Sequence, residues 1–149
     1  MSIYDEVNQQ MKAAMRARDK ARLAALRGIR TAFINEQKKN NADTISDDQA
    51  IANLRRLAKQ RKDSIDAFTQ AGDEDRASAE RAELSVIEEF LPALADEETT
   101  RAWVKEAIAQ VGATEPGHVG KVMGAIMRAH RGDVDGGLAK KIAAEELSA

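Results

Sequence analysis

Gly117–Gly137 reads GHVGKVMGAIMRAHRGDVDGG. Within it Val119, Val122, Met123, Ile126, Met127 and His130 recur at steps of three and four, which places them on one face of an α-helix. Lys121, Arg128 and Arg131 fall outside that apolar set. Six of the nine glycines of the chain lie in this stretch, three of them in Gly132–Gly137, the composition of a turn into a last helix. An amphipathic helix, a glycine-rich turn and a short final helix lined by Leu138, Ile142 and Leu147 make one end of a helical protein.

The composition extends that reading to the whole chain. Of 149 residues, 43% are hydrophobic and 32% charged, with two prolines and only 3% aromatics. A β-rich fold uses more aromatic and β-branched residues, whereas Ala, Glu, Lys, Arg and Leu favour helix. There is no cysteine, which removes disulfides, thiolate metal sites and thiol nucleophiles. No apolar run reaches the roughly 20 residues that span a bilayer, and MSIYDEVNQQ is not a signal peptide. The expectation is a soluble cytoplasmic protein without membrane contact.

Working backwards and forwards from the opening stretch, start and stop signals delimit seven helices. Ser2 caps a first helix with a seam of Ile3, Val7, Met11 and Met15. Asp19 caps a second, with Leu23, Leu26, Ile29 and Phe33 inward and Arg22, Arg27 and Arg30 mostly outward; Asn40–Asp43 ends it. Ser46 and Gln49 form a capping box for a third, which turns Ile51, Leu54, Leu57, Ala58, Ile65 and Phe68 inward and stops at Ala71-Gly72. A fourth runs from Arg76 to about Phe90, with Ala79 or Glu83 outward, and Pro92 stops it. Asp96-Glu97-Glu98 opens a fifth, with Trp103, Val104, Ala107, Ile108 and Val111 inward, stopped by Gly112. Thr114 caps the sixth, the opening stretch, with Pro116 in its first turn. Pro92–Ala95 is the boundary, so the expected fold is all-α: a domain of about four helices over 1–92 and a three-helix domain over 93–149.

The net charge of −2 is unevenly spread. Lys12–Lys39 carries nine Lys or Arg against two acids, while 40–91 carries seven against twelve. A basic surface on the first two helices is therefore compatible with a near-neutral protein. Arg55, Lys59 and Lys62 repeat at three and four along the third helix and can line one strip. Such a strip suits RNA phosphates, or it is a solvated face paired with Asp63 and Asp66. Gln60 and Ser64, four apart, suit a polar contact to RNA, or hydrogen bonds to Glu80 or Glu83 on the fourth helix. Gly120 and Gly124 suit close helix packing, and Lys121, Arg128 and Arg131 suit phosphate contact. His118 and His130 have no paired His or Cys, so no metal site is expected, and His130 near a helix end complements the dipole. Gly132–Gly137 lacks the ligand pattern of a calcium loop. No phosphate loop, nucleophile elbow or catalytic triad is present, so no catalytic residues and no cofactor are expected.

Four segments occur in a set order: Leu26–Phe33 (LRGIRTAF), Lys59–Ile65 (KQRKDSI) with Ala71-Gly72 behind it, Glu80–Pro92 (ERAELSVIEEFLP), and Gly120–Gly124 (GKVMG) with Arg131-Gly132 and Asp135-Gly136 trailing. In these the chain resembles the YqeY-like family of the GatB/YqeY superfamily over nearly its whole length. The resemblance implies an N-terminal helical domain and a small three-helix domain similar to the tail of the B subunit of the glutamine-dependent aspartyl/glutamyl-tRNA amidotransferase. That enzyme is a carbon–nitrogen ligase with glutamine as amido donor, and its tail helps hold tRNA. Its catalytic cradle has no counterpart in 149 residues. What is implied here is a non-catalytic tRNA-associated module, with Arg27, Arg30, Arg55, Lys59, Lys62, Lys121, Arg128 and Arg131 as RNA-binding candidates and no DNA partner. The alternative is a protein-interaction module that docks an amidotransferase or synthetase subunit, the partner then carrying the chemistry.

Overall fold

Wherever a Ser or Asp stands just ahead of an apolar-periodic run, it takes a free amide of the first turn. Ser2 opens α1 (Ile3–Ala17), Asp19 opens α2 (Lys20–Lys39) and Ser46 opens α3 (Asp47–Gln70). Asp73 opens α4 (Glu74–Glu88), Asp96 opens α5 (Glu97–Val111) and Asp135 opens α7 (Gly136–Ser148). Each cap side chain accepts the N–H three residues on, and at Ser46 the reciprocal bond from its own N–H to Gln49 Oε1 completes the box at 3.0 Å. The exception is α6 (Val119–Ala129), which grows out of a 3₁₀ turn, Pro116–His118. The computed structural model describes residues 1–149 and is all-α, with these seven helices and no strand. No helix is long and apolar enough to cross a membrane.

The chain forms two compact units, Met1–Leu91 and Pro92–Ala149. In the first, α3 pairs most extensively with α4 and α1 with α2. Leu26, Ile29 and Phe33 of α2 meet Val7 and Ala14 of α1, Leu54 and Ala58 of α3 and Val86 and Ile87 of α4 in one core. In the second, α5, α6 and α7 pack pairwise around Val104, Ala107, Val122, Ile126, Ala139, Ile142 and Leu147.

The α1 seam departs from the expected one. Met15 is 56% exposed and Ala14 is buried in its place. A four-residue step advances about 400° at about 100° per residue, so each repeat drifts about 40° and the seam leaves the core by its fourth member. Val7 and Ala14, seven apart, stay on one face.

Unit 2 is held at its polar seams as well. The buried Thr100 hydroxyl donates to the Asp96 carbonyl at 2.6 Å. Arg101 of α5 reaches Glu146 at 2.7 Å and Glu145 at 2.9 Å on α7, and Glu97 at 3.3 Å on its own helix. These bonds, that to Glu145 foremost, hold the guanidinium in its charged form. The Ala95 N–H donates to the Asp133 carbonyl at 2.8 Å, tying the turn after α6 to the segment that leads into α5.

Asp96 titrates below its ordinary value because its carboxylate accepts the Thr99 backbone N–H, and also bonds the Thr99 side chain. A depressed acid contributes stability that is present above its unfolded pKa and is lost as pH falls through the folded one. The Thr99 amide proton shift, followed by NMR through an acid titration, is therefore expected to move with a midpoint below the roughly 3.9 of a free aspartate. Asp96→Asn, which keeps an acceptor but cannot ionise, is expected to flatten that titration.

Candidate nucleic-acid interface

The cations of this chain fall into two groups. One holds the fold. Arg22 reaches Glu89 at 2.8 Å and Gln10 at 3.1 Å, and Arg56 donates to the buried Asn53 at 3.0 Å. Arg61 of α3 spans to α4, with Nη1 on Glu83 at 2.8 Å and Nε against Glu80 at 3.1 Å. Arg61 Nε and Glu80 Oε2 are both closed to solvent yet lie off the line of an N–H···O bond, so that contact is a charge pair. Arg76 and Arg81 pair with Asp73 and Glu74 along α4.

The second group is exposed and has no ion pair or hydrogen bond. It includes Arg27 and Arg30 of α2, Lys59 and Lys62 of α3, Lys121 and Arg128 of α6, and Arg131 just past the end of α6. Seven of the eight sequence candidates are thus free; the eighth, Arg55, is half-buried and already engaged. Lys59 and Lys62 make no ion pair with Asp63 or Asp66, although Lys59–Asp63 and Lys62–Asp66 stand four apart on α3. Arg27 and Arg30 are one turn apart, as are Lys59 and Lys62. Lys121 and Arg128 are two turns apart, about 10 Å along the axis of α6. The helix between them carries no acid.

What positions the α6 cations was only partly legible. His130, at the end of α6, stacks flat on Trp103 of α5, with ring centroids 3.7 Å apart and planes 6° apart. That contact was missed because the two residues are far apart in sequence and each reads as an isolated core or dipole residue. At the other end, Thr114 does not cap the helix. Its N–H donates to His118 Nδ1 at 3.1 Å, and His118 Nε2 faces Glu115 Oε1 at 3.3 Å. The acceptor role of Nδ1 puts the ring proton on Nε2, so the imidazole locks the turn that a threonine cap was expected to make.

Two further expectations are corrected. A Cβ on Gly120 would meet nothing within 4 Å, and one on Gly124 would meet only Arg128 Nη1 at 3.4 Å. These glycines do not bring helices together; they leave one side of α6 bare, with Arg128 lying over Gly124. Of the two outward candidates on α4, Ala79 is exposed and Glu83 is half-buried against Arg61. Arg61, three positions from Ser64, makes the α3–α4 link in place of Gln60 and Ser64, since only a long forked side chain spans both Glu80 and Glu83.

This sorting makes a prediction for the engaged group. Arg61→Ala leaves a desolvated Glu80 oxygen without its counter-charge, and the side chains involved are partly exposed, so a loss of about 1–3 kcal/mol is expected in unit 1. Urea denaturation reads it. RNA affinity below the midpoint is expected to stay unchanged.

The family model described as Yqey-like protein matches residues 4–147. The chain is also similar to "Altered inheritance of mitochondria protein 41, mitochondrial" of Pyrenophora tritici-repentis (strain Pt-1C-BFP), with 30% identity over 131 residues, 83% of this chain and 71% of that protein. The family match takes in every helix but the outermost residues of the first and last, and with it the four segments that carried the resemblance; the chain belongs to the YqeY-like family.

Proposed function

We propose that this chain is a non-catalytic module that binds tRNA through its unpaired cations, and that its two units are separate domains, one of four helices and one of three. The supporting observation is the division of the arginines and lysines. Those that join helices are satisfied by carboxylates or amides, whereas Arg27, Arg30, Lys59, Lys62, Lys121, Arg128 and Arg131 are exposed and unneutralised on rigid helices or at a helix end. Phosphates are the counter-charge such groups take, and each one engaged releases condensed counterions. The glutamine-dependent amidation associated with related tRNA-handling proteins then belongs to a partner. The expected location is the cytoplasm; the fungal relative is named as mitochondrial, and both compartments hold tRNA.

Fluorescence anisotropy with labelled tRNA across a salt series tests the reading. The expected slope of log K on log salt is about −3 or steeper, equivalent to roughly four engaged phosphates. No binding at low salt, or binding without a slope, contradicts it.

A second reading has its own observation. Met127 is 41% exposed beside Arg128 and Arg131, around a shallow depression of about 450 Å³. An exposed methionine rimmed by cations suits an acidic, apolar protein surface such as that of an amidotransferase or synthetase subunit. A partner recovered with the tagged chain after RNase treatment favours this reading; loss of all partners on RNase treatment favours RNA.

A further inference from the structure

Binding of RNA can go through unpaired bases or through the backbone of a stem, and the two need different side chains. Proteins that hold single strands stack successive bases on exposed aromatic rings. The aromatics here number one Trp, one Tyr and three Phe; Phe33 is buried, the other four are half-buried, and none is exposed. Phe33 is fully buried and Tyr4 lies against it, ring centroids 6.3 Å apart. Phe90 packs on the same core, and Phe68 has the Arg76 guanidinium over one face at 5.8 Å. Trp103 gives a face to His130. The exposed large apolar side chains are Met1, Met15, Leu94 and Met127, and none is aromatic.

The cations, by contrast, are anchored on helices at regular spacing, as Lys121 and Arg128 are on α6. The helix fixes where each cation is anchored, while the exposed side chains still lose rotamer freedom on binding; anchors at regular spacing suit a ligand whose phosphates are regularly spaced. A-form RNA presents such phosphates and 2′-hydroxyls along a wide, shallow groove. Resting on the tRNA-binding reading, we infer that the site takes double-helical RNA, a stem gripped by its phosphates and riboses, with no unpaired base in the site. Recognition is then by shape and charge, and is insensitive to the sequence of the stem.

Three labelled RNAs in low salt test this: tRNA, a blunt stem-loop, and an unstructured strand of the same length as the stem-loop. The stem is expected to bind within about threefold of tRNA and the strand at least about tenfold more weakly. Trp103 emission is expected to stay constant as the stem saturates, since no base reaches the ring. Lys121→Gln with Arg128→Gln, both exposed, is expected to weaken stem and tRNA by the same factor while circular dichroism is unchanged. A strand that binds as tightly as the stem, or quenching of Trp103, overturns the stem inference. If tRNA binds and the stem does not, the inference falls and the tRNA reading stands. If tRNA itself does not bind, both fall.

Discussion

Alanine at Phe33 lowers the stability of the Met1–Leu91 unit by about 3–5 kcal/mol. Phe33 is the largest fully buried side chain of the chain, and it sits where α1, α2, α3 and α4 share one core. The cost is high because the void is enclosed by helices that cannot all close on it. Domains of this size hold only about 5–15 kcal/mol in total, so the variant sits near its unfolding threshold. Urea denaturation read by far-ultraviolet circular dichroism measures the shift. The sole tryptophan lies in the other unit, so its fluorescence transition is expected to stay where it was. A loss below about 1.5 kcal/mol would mean that the core collapses around the gap.

The second large effect is on binding. Glutamine at Arg27, Arg30, Lys59, Lys62, Lys121 and Arg128 together is expected to weaken tRNA binding by about 10²- to 10³-fold at low salt. None of these side chains pairs with an acid in the fold, so the expected stability change is within about 0.5 kcal/mol at each site. Arg61→Ala is the opposite case, losing stability and keeping affinity. Charge alone does not separate these outcomes, because both variants remove arginine from a basic helix. Only the geometry of the partners does.

That contrast also marks where the sequence was legible. Helix starts were readable because a cap and the amide it accepts lie three residues apart: Ser46 and Gln49, or Asp19 and Arg22, carry their own evidence. Stops at Gly72 and Gly112 were readable for the same local reason, both taking positive φ at helix ends. The all-helical class and the family followed from patterns of comparable range. Features set by distant pairs were not readable. Arg22 meets Glu89 across 67 positions, Arg61 meets Glu83 across 22, and Arg101 meets Glu146 across 45. Those partners decide which cations remain for RNA. Arg55 entered the candidate set on its spacing and is engaged in the fold, and the Trp103–His130 stack gave no local sign at all.

The central claim is that the unpaired cations are the RNA contacts. Its most direct measurement is the salt dependence of tRNA affinity for the wild-type chain and the six-glutamine variant in parallel. The expected result is a steep wild-type slope that loses about 0.7–0.9 for every phosphate contact removed, so that the variant's slope is clearly shallower. Equal slopes and equal affinities in the two proteins would contradict the claim.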